Sequence, residues 1–237
     1  MLFSEMTTRE AFKITKQKMT EYQLEFLNRL NAIEVDAHWF RRVFHTFTAS
    51  FLFYYIIPDE GWMRVVKIVI PTIIVLGMAL LEARRLRGAI NYQRFFGLRS
   101  YEMKRPASYL YFGLAVLILF LLFPQQIAIP CLLCASFTDP IIGETRYYLG
   151  KKRAYIIGFM VSFFIFVATW YQANWWIVIL VSSLGALGAL IGEAKKLKLV
   201  DDDFMIQMLP ALILLLVWQG GIVLGVCILP PKMILPI

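Results

Sequence analysis

Apolar stretches about as long as a bilayer is thick constrain this chain more than anything else in its sequence. Near 62–81, 107–123, 154–171, 175–191 and 204–229 the chain approaches the ~20 apolar residues a helix needs to cross the hydrocarbon core. Backbone in hydrocarbon must satisfy its own polar groups, so such stretches fold as helices. The chain is 59% hydrophobic and 17% charged, whereas soluble domains sit near half and a quarter. The expected fold is an all-α, polytopic membrane helical bundle.

Seven spans are expected. The first covers about Val43–Ile57 and the second about Trp62–Leu81, with a kink at Pro71. The third covers about Ala107–Phe123, and the fourth, short, about Ile127–Thr138. The fifth is about Ala154–Tyr171, the sixth about Trp175–Ile191, and the seventh about Phe204–Leu229, broken by Pro210. Trp62, Trp170, Tyr171, Trp175 and Trp176 fall at predicted ends, as an interfacial aromatic belt requires.

Charge orients the bundle. Lys and Arg number seven in residues 1–42, seven in 82–105, four in 139–153 and three in 193–203, which leaves Arg64, Lys67 and Lys232 of the 24. The positive-inside rule then places the N-terminus in the cytosol and the C-terminus across the membrane, which needs an odd number of spans. The net charge of +8 is thereby a topology signal, and no nucleic-acid partner is expected. The first forty residues are polar and charged, so no cleavable leader is expected. Phe12, Met19, Tyr22, Phe26, Leu30 and Ile33 form an apolar stripe, so residues 1–37 read as a cytosolic amphipathic helix and 38–237 as the membrane domain.

The densest functional signal runs from Cys134 to Arg153. Asp139 suits an N-cap and Pro140 the first helical position, while Gly150 suits the stop of a short helix followed by Lys151, Lys152 and Arg153. Asp139, Gly143, Arg146 and Gly150 share one helical face. A carboxylate, bare backbone and an arginine at a positive helix end suit a metal-bound phosphate. A capped loop whose basic residues only orient the topology fits the same residues.

Other acids cluster similarly. Glu82, Glu102, Asp139, Glu144, Glu193 and Asp201-Asp202-Asp203 lie at predicted cytosolic span ends or loops, and only Asp59 and Glu60 lie opposite. Acids beside membrane-embedded surface are costly and tend to be functional. With Arg41, Arg42, Arg84, Arg85, Arg99, Arg146 and Lys151–Arg153 they suit a divalent cation and a polyphosphate. Arg41 and His45, four apart, stack at the start of the first span; His45 suits a proton acceptor or a polar interface residue. Cys131-Leu-Leu-Cys134 has neither a second pair nor a nearby histidine and reads as helix surface. Gly188-xxx-Gly192 reads as close helix packing. Neither a P-loop lysine motif nor a dinucleotide glycine pattern occurs.

As an ordered set, these residues resemble a family. Arg41-Arg-x-x-His45, Glu82-x-x-Arg85, Glu102 before Ser108-Tyr-Leu-Tyr-Phe-Gly113, Ser136-Phe-Thr-Asp139-x-x-x-Gly143 to Gly150-Lys151, and Glu193-Ala194 before Asp201-Asp202-Asp203 together resemble the dolichol kinase, phytol kinase and CTP-dependent diacylglycerol kinase superfamily, over residues 38–218. The resemblance implies transfer of the γ-phosphate of CTP, with Mg²⁺, to a polyprenol or dolichol, phytol or diacylglycerol. It implies a multi-pass protein of the plasma membrane in a prokaryote, or of the endoplasmic reticulum or a plastid in a eukaryote, with a cytosolic active site; it allows a homo-oligomer. By position, Asp139 and Glu193 would hold the metal–nucleotide, supported by Asp201 and Asp202. Gly143, with Arg146, Gly150, Lys151 and Lys152, would face the phosphates. Arg42 and His45 would sit at the hydroxyl or phosphates, and Glu82 and Glu102 would orient basic residues. Where the family carries Lys-Thr/Ser-x-Glu-Gly, this chain reads Arg153-Ala-Tyr-Ile-Ile-Gly158, without the acid; the family's asparagine is Asp203, and Met205 and Gln207 replace its threonine and proline. A CDP-lipid-forming cytidylyltransferase and a non-catalytic membrane relative are the alternatives.

Overall fold

A computed structural model describes residues 43–88, 102, 105–194 and 200–237. The amphipathic helix expected in residues 1–37, together with Arg41, Arg42 and Arg99, lies outside the described residues. The described elements are all helical. Residues 43–47 are α-helical and continue as a 3₁₀ helix, Thr48–Tyr55. There follow α1 (Gly61–Leu86), α2 (Ser108–Leu122), α3 (Gln125–Leu133), a π-helical turn (Cys134–Thr138), α4 (Asp139–Leu149), α5 (Lys151–Trp170), α6 (Trp175–Ala194) and α7 (Asp202–Val223). Five stretches are long and apolar enough to cross a membrane: α1, the continuous Gln125–Leu149 unit, α5, α6 and α7. α2 is apolar but has 15 residues.

Hydrocarbon gives apolar helices no reason to leave lipid for each other, so close backbone approach must hold the bundle together. The glycines of α6 supply it. A Cβ on Gly188 would lie 2.9 Å from Pro210 Cα, and one on Gly192 would lie 2.5 Å from the Met205 carbonyl oxygen. Around this contact Phe166, Trp170, Leu119, Ile127 and Leu132 are fully buried. The Trp170 indole N–H donates to the Gln126 carbonyl at 2.8 Å, satisfying its polar handle in the core.

Two sequence expectations are corrected. The chain does not break at Asp139. Its backbone is helical (φ −60°, ψ −52°), its N–H donates to the Cys134 carbonyl five residues back, and Gln125–Leu149 is one unit. Asp139 is therefore not an N-cap. The wide π turn lets the helix pass Pro140, whose ring and missing N–H would disrupt regular α spacing. The last helix, in turn, ends at Val223 and not near Leu229. Residues 224–237 fold back over the bundle end: the Gln126 amide donates to the Pro230 carbonyl, Gln125 pairs with both backbone groups of Ile234, and the Ile237 N–H reaches the Ile56 carbonyl at 3.1 Å. Gly150 ends α4 as its residue type predicts, with φ +78° and its N–H on the Arg146 carbonyl.

Candidate functional site

The acids gather at the opposite end of the bundle from this tail, where α1 and α6 finish and α2 and α7 begin. His45 is 5% exposed, and its ring meets Phe112 edge-on, centroids 5.2 Å apart. Nδ1 lies 3.9 Å from Asp139 Oδ2, and Nε2 lies 3.7 Å from Asp203 Oδ1. Both distances exceed a hydrogen bond, and Nδ1 has no hydrogen-bond partner among the described residues. The hydroxyl of Thr48 donates to the His45 carbonyl and pairs with the Ser136 hydroxyl at 2.9 Å, tying the histidine's segment to the π turn. Thr138 pairs with Ser162 at 3.0 Å, tying that turn to α5. Asp139 is thus carried by a π turn anchored on both sides.

Asp201, Asp202 and Asp203 open α7 with carboxylate oxygens within 4.8 Å of one another, and His45, Asp139 and Asp203 meet the same limit. Arg105 donates to Asp201 Oδ1 at 2.9 Å, while Asp201 Oδ2 is buried without a hydrogen-bond partner among the described residues. Burial, and then the charges of Asp202 and Asp203, push the Asp201 carboxyl up to about 7, with Arg105 pulling the other way. Glu193, in the last turn of α6, lies within electrostatic reach of Asp139 and Asp202. It accepts a hydrogen bond from Arg146 Nη2 at 2.6 Å. The Arg146 guanidinium lies 5.3 Å from the centre of the Tyr155 ring.

His45, Asp139, Arg146, Glu193, Asp201 and Asp202 therefore converge, as the sequence reading expects; Arg42 lies outside the described residues. Gly143 lies open, with nothing within 4 Å of where its Cβ would be. Lys151 and Lys152 are exposed at the start of α5. Glu82 and Glu102 serve the entry to α2. Glu82 accepts from Arg85, from the Tyr109 hydroxyl at 2.7 Å and from the Ala107 N–H at 2.6 Å, while Glu102 accepts from the Ser108 N–H at 3.0 Å. Arg85 also donates to the carbonyls of Glu102 and Arg105. This clamp reaches the acid cluster through Arg105. Gly158, in the segment where the family's acid is missing, faces Ile142 and Thr138 and packs α5 on α4.

Two residues to which the sequence reading gave no role of their own belong here: Asp203, named there only within the acidic run and as the counterpart of the family's asparagine, lies 3.7 Å from His45 Nε2, and Arg105 holds Asp201. Helical phase would have found the first. Asp203, Gln207, Ala211 and Leu214 recur at four, four and three and are all buried, so Asp203 shares the inward stripe of α7. Arg105 carries no such signal in a basic loop.

Chemically, among the described residues five carboxylates face two arginines and one imidazole. Such an excess of buried negative charge calls for protons or a hard divalent cation with oxygen ligands. The oxygen-rich donor set, with an Asp201 oxygen that no described residue satisfies, fits such an ion. Compared with protein-family models, with curated proteins and with solved structures, the chain matches none.

Proposed function

We propose that this chain is a Mg²⁺-dependent phosphotransferase that moves the terminal phosphoryl group of CTP onto the hydroxyl of a membrane alcohol, in the manner of the polyprenol and phytol kinases it resembles. In this reading the chain crosses the membrane seven times and the acid cluster faces the cytosol, where nucleotide is found. The observation that carries it is His45 set between Asp139 and Asp203, three residues from three separate elements.

Asp139, Glu193 and the Asp201–Asp203 run would hold the ion, which when bound neutralises phosphate charge and orients the nucleotide. Arg146 adds a fixed positive charge beside Glu193, and Gly143 leaves backbone open to a phosphate. His45 is the proton acceptor: the alcohol oxygen bonds to the terminal phosphorus, the bond from that phosphorus to its bridging oxygen breaks, and the hydroxyl proton passes to the imidazole. The chain's contribution is mainly placement of reacting groups and matched charge.

Purified protein, labelled CTP and a panel of prenols, phytol and diacylglycerol test this reading. The expected products are a lipid phosphomonoester and CDP. A CDP-lipid with pyrophosphate would establish the cytidylyltransferase alternative, and no nucleotide binding would mark a non-catalytic protein. Full activity in Asp139→Asn would remove the assigned site whatever the reaction.

A further inference from the structure

Of the three cations that the topology tally leaves over, Arg64 and Lys67 stand one turn apart near the start of α1. They lie at the tail end of the bundle. The Lys67 ammonium donates to the Ile57 carbonyl at 3.2 Å, next to the Ile56 carbonyl that Ile237 reaches. Lys67 is 8% exposed, and its ammonium also lies 4.8 Å from the centre of the Tyr54 ring. A carbonyl and a ring face leave one of its three donors over. Among the described residues, no ion pair joins Lys67 or Arg64 to Asp59, Glu60 or any other carboxylate. A buried ammonium without a counter-charge is costly, so an anion is favoured beside it.

Lys67 also lines one end of a groove of about 300 Å³ between the Thr48–Tyr55 helix, α1 and α2, whose walls are mostly apolar. Along α1 the groove runs from Val66 to Met78, roughly 18 Å at 1.5 Å per residue. That is close to one leaflet's half of a ~30 Å hydrocarbon core. Ile70 and Ile74 form its lip, each 52% exposed, so it opens sideways on the face that lipid would cover. At the far end Met78 packs on Gly113, where a Cβ would lie 3.2 Å from the Met78 sulfur.

We propose that this groove holds one acyl chain of an anionic phospholipid from the leaflet at the tail end, with the lipid phosphate on Lys67 and Arg64. Lys67 supplies a buried donor to a phosphate oxygen, and Arg64, exposed one turn nearer the membrane surface, meets the same phosphate from outside. The open lip leaves the lipid's second chain in the bilayer. A zwitterionic headgroup brings its own cation to this place, so the site selects by charge. None of the acid-cluster residues lines the groove, so this lipid is no reactant in the phosphotransfer reading, and the site stands whether or not that reading holds.

Photolabelling of the full chain in lipid nanodiscs tests this, with phosphatidylglycerol and phosphatidylcholine that carry the same diazirine on the same acyl chain. Phosphatidylglycerol is expected to label the Thr48–Tyr55 helix and residues 66–78 above the level that phosphatidylcholine gives there. Arg64→Gln and Lys67→Gln are each expected to lower that labelling about fivefold, the scale of one basic residue at a lipid phosphate. Ile74→Trp fills the chain's place and is expected to lower groove labelling by both lipids, whereas Ile73→Trp, 61% exposed and outside the groove, leaves it unchanged. Arg64 and Ile74 are exposed positions, so their variants decide the matter even if Lys67→Gln does not fold. Equal groove labelling by the two lipids, a preference that survives Arg64→Gln, or indifference to Ile74→Trp overturns the proposal. Displacement of the phospholipid by an equimolar fatty acid would also overturn it, by making a carboxylate the anion at Lys67.

Discussion

His45 turns Nε2 to within 3.7 Å of Asp203 Oδ1, joining the first described helical segment to the last. The imidazole is buried and its other nitrogen faces Asp139, so each ring nitrogen looks onto a carboxylate from a different element. His45→Gln keeps a polar side chain while removing the base. Turnover should fall by about 10²–10⁴-fold with nucleotide affinity nearly unchanged. Steady-state kinetics beside equilibrium nucleotide binding checks this; an equal loss in both would make His45 a binding residue only.

On the proposed reading, metal dependence is expected from the excess of carboxylates among the described residues. Chelation should abolish turnover, and added Mg²⁺ should restore it. Asp203→Asn removes a carboxylate shared by the His45–Asp139 group and the Asp201–Asp202 group. Mn²⁺ binding, read by electron paramagnetic resonance, should weaken about tenfold or more, the scale expected for losing one ligand or its close support. Unaltered Mn²⁺ affinity in this variant would place the ion elsewhere.

Asp201 sets a pH dependence. Its carboxyl is raised in the fold from an ordinary 3.8 to about 7, so near neutrality a proton competes with any cation for it. Mn²⁺ affinity should rise between pH 6 and 8 and flatten in Asp201→Asn. Without cation the sign for stability is the opposite. The folded chain keeps a proton that the unfolded chain loses, so stability falls as pH rises from 3.8 towards about 7. Thermal melts with and without Mn²⁺ across that window should diverge most at its upper end.

Long apolar helices were readable because apolar length is a sum over many residues, which one exception does not disturb; five of them are long enough to cross a membrane. Convergence of Asp139, Glu193 and Asp201 at one end was readable for the same reason: buried acids are scarce, and all but two of those beyond the N-terminal segment were predicted on one side. The path of the chain at Asp139 was not. Asp-Pro signals a helix start through local preference, but buried neighbours on both sides and the pairs Thr48–Ser136 and Thr138–Ser162 favour continuing the helix through a π turn. The tail after Val223 was misread because apolar composition does not tell a helix from an irregular segment laid across the end of the bundle. Arg105 was lost among neighbouring cations, since what distinguishes it is a partner just before α7 that sequence spacing does not reveal.

The Glu82–Arg85 pair governs the entrance to α2. Arg85 is 4% exposed and holds Glu82 together with two carbonyls, so Arg85→Ala would strand a buried carboxylate and open the turn that carries Arg105. A loss of about 3–5 kcal/mol is expected. Tyr109→Phe, which removes one hydrogen bond to Glu82, should cost about 1 kcal/mol. Denaturation in mixed micelles compares them; similar small losses would mean that Glu82 is satisfied by other donors.

Two glycines separate packing from ligand approach. Gly192→Ala would drive a methyl into the backbone at Met205 and Ile206, which cannot step aside. It should cost about 1–3 kcal/mol of stability and lower activity only through that loss. Gly143→Ala meets nothing within 4 Å, so the fold should tolerate it. If a phosphate approaches that bare backbone, the added methyl lies in its path, and KM for CTP should rise about tenfold at unchanged melting temperature. Unchanged KM in Gly143→Ala would free this face of α4 from any contact with nucleotide and confine the site to His45, Asp139 and the start of α7.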